Sequence, residues 1–177
     1  MEQTLSNFNV TDYNRFTYNI IKDITDKREN NYSPILVVGK NGVGKTHLIV
    51  GLENEMKDKS NVIRISSEQF INETIQAINN KAVNSIYEKY EKVDILIIEN
   101  AEFISSKKKI IGVLYKLMKK LIVENSKIVL LTFGISYKTF QEVKILSEFG
   151  FIDFENTVIA DITSSKNDYG ECRDISL

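Results

Sequence analysis

A chain of 177 residues, 42% apolar and 27% charged, is long enough for one domain with a proper core. Its 23 basic and 24 acidic side chains leave a net charge of −1, so no general field draws it to DNA or to a membrane. One cysteine, Cys172, excludes an intrachain disulfide, no apolar run approaches the ~20 residues that span a bilayer, and MEQTLSNFNV lacks the makings of a secretory signal, so the expectation is a cytoplasmic protein with no membrane partner.

The elements follow in chain order. Residues 11–29 carry Tyr13, Phe16, Ile20, Ile21 and Ile24 at helical spacing, with Thr11 or Asp12 placed to cap. NNYS breaks the pattern before Pro34, the only proline. ILVVG (35–39) is a continuous apolar run of strand length, suited to a buried parallel strand. A helix is predicted from Gly44 or Lys45 to about Lys57, and a second strand over NVIRIS (61–66). Ser66 or Ser67 caps the next helix, which carries Phe70, Ile71, Ile75 and Ile78. A further helix spans about 82–91, and DILII (94–98) is the third strand. Residues 109–124 place Ile110, Val113, Leu114, Leu117 and Leu121 on one helical face, and KIVLLT (127–132) is the fourth strand. A helix near 138–148 and a strand near 157–162 follow. This alternation implies a parallel sheet covered on both faces. The expected domain is 1–164, and 165–177 reads as a polar tail.

GKNGVGKT (39–46) matches G-x-x-x-x-G-K-[ST] in full, after a strand and opening a helix. Gly39, Gly42 and Gly44 let the backbone turn tightly and bring the amides of Lys40, Asn41 and Val43 close to phosphate oxygens. The helix N-terminus behind them favours an anion. Lys45 is placed to reach the β and γ phosphates and Thr46 to ligate magnesium, so ATP or ADP with Mg2+ is the expected ligand. His47, the only histidine, follows Thr46 and reads chiefly as packing support for the loop.

The chain resembles the AAA+ domain of the bacterial replication initiator DnaA. NFNVTDYNRFTYN (7–19) is similar to that family's N-terminal segment, whose Asn-Arg-Phe region packs near the adenine, and VGKNGVGKTHL (38–48) to its phosphate loop. ISSEQFINETIQAI (65–78) with YEKYEKVDILIIENAEFI (87–104) resembles its initiator-specific helical insertion and magnesium strand. The resemblance implies a three-layer αβα P-loop NTPase core with a five-stranded parallel sheet. It also implies a replication initiator or helicase-loading protein as partner, and assembly through AAA+ surfaces. A helical lid and a helix-turn-helix domain follow in the family, and SSKNDYGECRDISL has no room for either.

The departures fall around the γ-phosphate. The family's magnesium strand ends in two aspartates where this chain has Glu99 and Asn100. Glu99 is suited to hold the metal or its water, whereas the Asn100 amide does not accept a proton at neutral pH. TFGIS (132–136) leaves Thr132 as the candidate for the polar sensor, and the position of the intersubunit arginine falls on Asp153. The expectation is a nucleotide binder with little or no turnover. An active ATPase of helicase-loader type and a non-enzymatic scaffold with a vestigial site stand as alternatives. The lysines at 107–109, 116, 119 and 120 read as a solvated helix face. Lys81, Lys89 and Lys92 beside Tyr87 and Tyr90 offer the chemistry of a single-stranded DNA contact, set against Tyr87 and Tyr90 serving as core.

Overall fold

The computed structural model describes residues 2–27 and 32–163. Five parallel strands, β1 (Ile35–Val38), β2 (Val62–Ser66), β3 (Ile95–Glu99), β4 (Ile128–Phe133) and β5 (Val158–Asp161), form one sheet in the order β2-β3-β4-β1-β5. The near-continuous apolar strand sequences are the mark of a sheet buried on both faces. Alternate residues divide between two cores. Ile35, Val37, Ile95, Ile97 and Leu130 pack under α1 (Arg15–Thr25) and α2 (Lys45–Met56). Leu36, Val38, Leu96, Ile98, Val129, Leu131 and Phe133 face α3 (Ser67–Asn79), α4 (Asn84–Tyr90), α5 (Lys108–Met118), α6 (Tyr137–Glu142) and α7 (Ile145–Glu148). The three-layer αβα architecture is therefore present as expected. The polar tail, 165–177, lies outside the described residues.

Several local expectations shift. α1 begins at Arg15, with Asn14 rather than Thr11 or Asp12 at the N-cap position. The Asn14 carboxamide turns back and accepts from the Thr11 amide at 2.8 Å, which closes the preceding turn instead of capping the helix. Ser66 does cap α3, accepting from the Gln69 amide at 3.1 Å. On α3, Phe70, Thr74 and Ala77 are buried and Ile71 and Ile78 pack against the same core, whereas Ile75 is exposed. The helix predicted over 109–124 changes to a π-helical segment over Lys119–Glu124, which keeps Leu121 buried while exposing Val123. The helix predicted over 138–148 breaks into α6 and α7 because Lys144 takes a left-handed conformation.

One contact ties the chain's beginning to the site. Leu5 is buried against α2, where a Cβ added at Gly51 would come within 2.8 Å of its Cδ2 and 2.9 Å of its backbone nitrogen. The N-terminal segment thus crosses the helix that follows the phosphate loop.

Candidate functional site

The loop between β1 and α2 lies at the carboxyl end of the sheet, where ligands of open α/β folds bind. The Gly39 amide donates to the Phe133 carbonyl at 3.1 Å, which anchors the loop to β4. Gly42 and Gly44 have φ of 87° and 103°, a region closed to most side chains. A Cβ at Gly39 would stand 2.5 Å from Ile162 Cγ2. The turn is therefore open only to glycine at several points. Lys45 opens α2 and is 7% exposed, with its ammonium donating to the carbonyls of Gly39 and Lys40. Burial lowers its pKa from the ordinary lysine value, and the charges of Glu102 and then Glu99 oppose that. Lys40, Asn41, Gly42 and Thr46 are exposed, Val43 is half-buried, and no protein hydrogen bond engages the Thr46 hydroxyl among the described residues. An anion with a cation bound to it fits this loop: amides and a helix N-terminus, a buried ammonium, and an exposed hydroxyl.

The acid at the end of β3 is already engaged. Arg64 on β2 donates from Nη1 to Glu99 Oε1 at 2.7 Å and from Nε to Glu53 Oε2 of α2 at 2.8 Å. Burial would lower the guanidinium's pKa, and the two carboxylates more than offset it. The pair engages Oε1 alone, so Thr46 fits the metal directly and Glu99 fits it through Oε2, with its charge partly offset by Arg64. Asn100 sits at φ 56°, ψ 47°, a left-handed conformation that asparagine tolerates better than most residues. Its amide donates to Thr132 Oγ1 at 3.0 Å. The buried Thr132 hydroxyl thus supports the turn after β3.

Glu102 is the acid that sequence reasoning missed. It lies on the 3-10 turn Ala101–Ile104, and its Oε2 accepts from the Gly134 amide at 3.0 Å. A Cβ added at Gly134 would stand 2.6 Å from Glu102 Oε1, 2.8 Å from Asn41 Oδ1 and 3.4 Å from Asn100 Oδ1. The carboxylate therefore occupies the space that a side chain at the tip of β4 would fill, beside the phosphate loop. The signal available in the sequence was the glycine at 134 together with an acid one short turn beyond Glu99.

His47 turns away from the loop. Its Nε2 lies 2.9 Å from the Thr4 carbonyl and 2.8 Å from Asn7 Oδ1, and its ring meets Phe8 edge-on with centroids 5.2 Å apart. Phe8 stacks on Tyr18 at 6.0 Å, and its ring edge would meet a Cβ at Gly44 at 3.1 Å. This aromatic group places the N-terminal segment against the phosphate loop. Asp153 accepts from the Tyr115 hydroxyl at 2.6 Å and remains exposed.

The proposed DNA platform is largely consumed within the domain. Tyr90 is buried and donates to Glu73 Oε2 at 2.8 Å, and Lys89 pairs with Glu73 Oε1 at 2.7 Å. Tyr87 is half-buried against the core, which leaves Lys81 and Lys92 exposed. On α5 and its continuation, Lys107, Lys108, Lys109, Lys116 and Lys119 are exposed.

The sequence pattern of the bacterial DnaA ATPase domain matches residues 1–146. The chromosomal replication initiator protein DnaA of Helicobacter hepaticus is 34% identical over 162 residues, covering 91% of this chain and 35% of the relative. The chain thus spans about a third of the length of the curated relatives it matches. Domain III of the Thermotoga maritima initiator superposes with a TM-score of 0.74 at 25% identity, covering 89% of this chain and 66% of that one. A DnaA bound to AMPPCP and single-stranded DNA superposes with a TM-score of 0.70 at 25% identity, covering 89% of this chain and 49% of that one.

Proposed function

The chain belongs to the bacterial DnaA ATPase-domain family, and from that membership we propose that it is an ATP-binding AAA+ module of replication initiation or its regulation, with little or no turnover. The observation that carries this reading is the phosphate loop: glycines that no side chain could replace without strain, and Lys45 buried at the start of α2. A related initiator binds AMPPCP, which supports nucleotide as the ligand. In this role the loop amides and α2 bind the phosphates, Lys45 exchanges its two loop carbonyls for phosphate oxygens, and the Thr46 hydroxyl meets magnesium. Magnesium would neutralise phosphate charge. Asn100 cannot take a proton from water, which is the reason for slow turnover.

The proposed partner is an initiator-type or helicase-loading protein, met through the surfaces on which AAA+ domains assemble. Single-stranded DNA, present with one relative, is the weaker proposal here, because Lys89 and Tyr90 are spent on Glu73.

Equilibrium titration of ATP and ADP with magnesium tests the reading. Wild-type binding should fall by more than about tenfold in Lys45→Ala, equivalent to about 1.4 kcal/mol. Absence of binding at millimolar nucleotide would overturn it in favour of a scaffold. An active ATPase has one observation in its favour, the Glu102 carboxylate beside the loop. Phosphate release that Lys45→Ala and Glu102→Gln both abolish would establish that alternative.

A further inference from the structure

The pairing of Arg64 with Glu99 has a consequence for the metal. Residues 64 and 66 of β2 register with 97 and 99 of β3, so Arg64 and Glu99 project from the same face of the sheet, the face that α2 covers. The guanidinium uses separate edges for Glu99 and Glu53, so it is fixed from β3 and from α2 at once. The side chains are 30% (Arg64), 18% (Glu99) and 34% (Glu53) exposed, and the cluster is thus only partly screened by water. Arginine keeps its charge at every physiological pH, and charge-assisted hydrogen bonds of this length are among the stronger ones. Magnesium is reluctant to shed water and leans on one or two carboxylates plus phosphates. No group of three or more histidine, cysteine, aspartate or glutamate side chains is arranged to hold a metal among the described residues. Magnesium would meet Glu99 only through Oε2, on a carboxylate whose charge an arginine at Oε1 already shares.

We propose that Arg64 is a resident counter-ion of the Glu99 carboxylate, so that nucleotide binding by this chain depends only weakly on magnesium. This rests on the reading of the phosphate loop as a nucleotide site. Arg64 acts through Glu99 and is a positioning residue: it holds the carboxylate toward β2 and cancels its charge. The phosphates are then bound by Lys45, the loop amides and α2, and the exposed Thr46 hydroxyl offers the metal a ligand.

The test is ATP affinity of the full chain by calorimetry, with excess magnesium and with EDTA. The expected wild-type ratio is below about threefold, and in Arg64→Met, which keeps the apolar stem and releases Glu99, it rises above about tenfold. Adding Glu99→Gln to Arg64→Met should return the ratio to the wild-type value. A wild type that loses more than about tenfold in EDTA overturns the role of Arg64 while leaving the nucleotide reading intact. A wild type that binds under neither condition overturns the nucleotide reading itself. The wild-type ratio decides the matter even if Arg64→Met does not fold, and far-UV circular dichroism identifies that case.

Discussion

Gly134 and Glu102 show how one missing side chain makes room for another. With no Cβ at the tip of β4, the Gly134 amide receives the Glu102 carboxylate, and Asn41 and Asn100 close around the same space. Gly134 is outside the left-handed region, so alanine there faces crowding without backbone strain. A methyl group would push the flexible carboxylate aside from its seat near Lys45 while leaving the fold in place. Gly134→Ala is expected to tighten ATP by about two- to tenfold, as is Glu102→Gln, because the one displaces and the other removes a negative charge beside the phosphate loop. Opposite effects of the two substitutions in the same titration would dismiss this electrostatic account. The sequence made the loop legible to the residue, because backbone amides, glycines and a lysine at fixed spacing are a local pattern. It left Glu102 illegible, because the residue is held beside the loop by Gly134 at the end of β4, 32 positions further on.

At the scale of elements, the strands were legible nearly to their ends and the helices less so. Buried strands announce themselves by unbroken apolar runs, whereas helix ends depend on whether a polar side chain caps or turns elsewhere, as Asn14 does. The break at Lys144 and the π-helical turn after Met118 were invisible to periodicity, since both depend on what the face must pack against. The strap formed by the N-terminal segment over α2 was also beyond pattern reading. Leu5 against Gly51 is a packing contact with backbone on both sides. Gly51→Ala is expected to destabilise the domain by about 1–3 kcal/mol through overpacking. Urea unfolding should show the lowered midpoint. Limited proteolysis should show earlier cleavage near the N-terminus, since the flexible Leu5 side chain can move but its backbone nitrogen cannot move without lifting the strap.

At the scale of the whole molecule, the order β2-β3-β4-β1-β5 gathers the phosphate loop, the Glu99–Asn100 turn and the tip of β4 at one end of the sheet. Asp153 lies on the 3-10 turn Phe151–Asp153, ahead of β5, with its carboxylate set by Tyr115. In an assembly of AAA+ subunits, a carboxylate offered to a neighbour's γ-phosphate repels it where an arginine would attract. The domain is therefore expected to accept a neighbour on one side and to stop growth on the other. Substoichiometric amounts should shorten assemblies of a DnaA initiator in sedimentation or light scattering, and Asp153→Arg should relieve the effect. Unchanged assembly with the wild-type chain would rule out this capping role.

By itself the sequence determined the phosphate loop, the alternating order of strands and helices and the family. Each depends on residues close together in the chain, whose apolar period or glycine spacing carries the information. Only the tertiary structure decided what the acids do. Arg64 and Glu99 are 35 positions apart and Glu102 and Gly134 are 32 apart, and each pair meets because parallel strands end at a common edge. A carboxylate is read in sequence as a candidate ligand; whether it is open to a metal or already held by an arginine depends on which strand lies beside it.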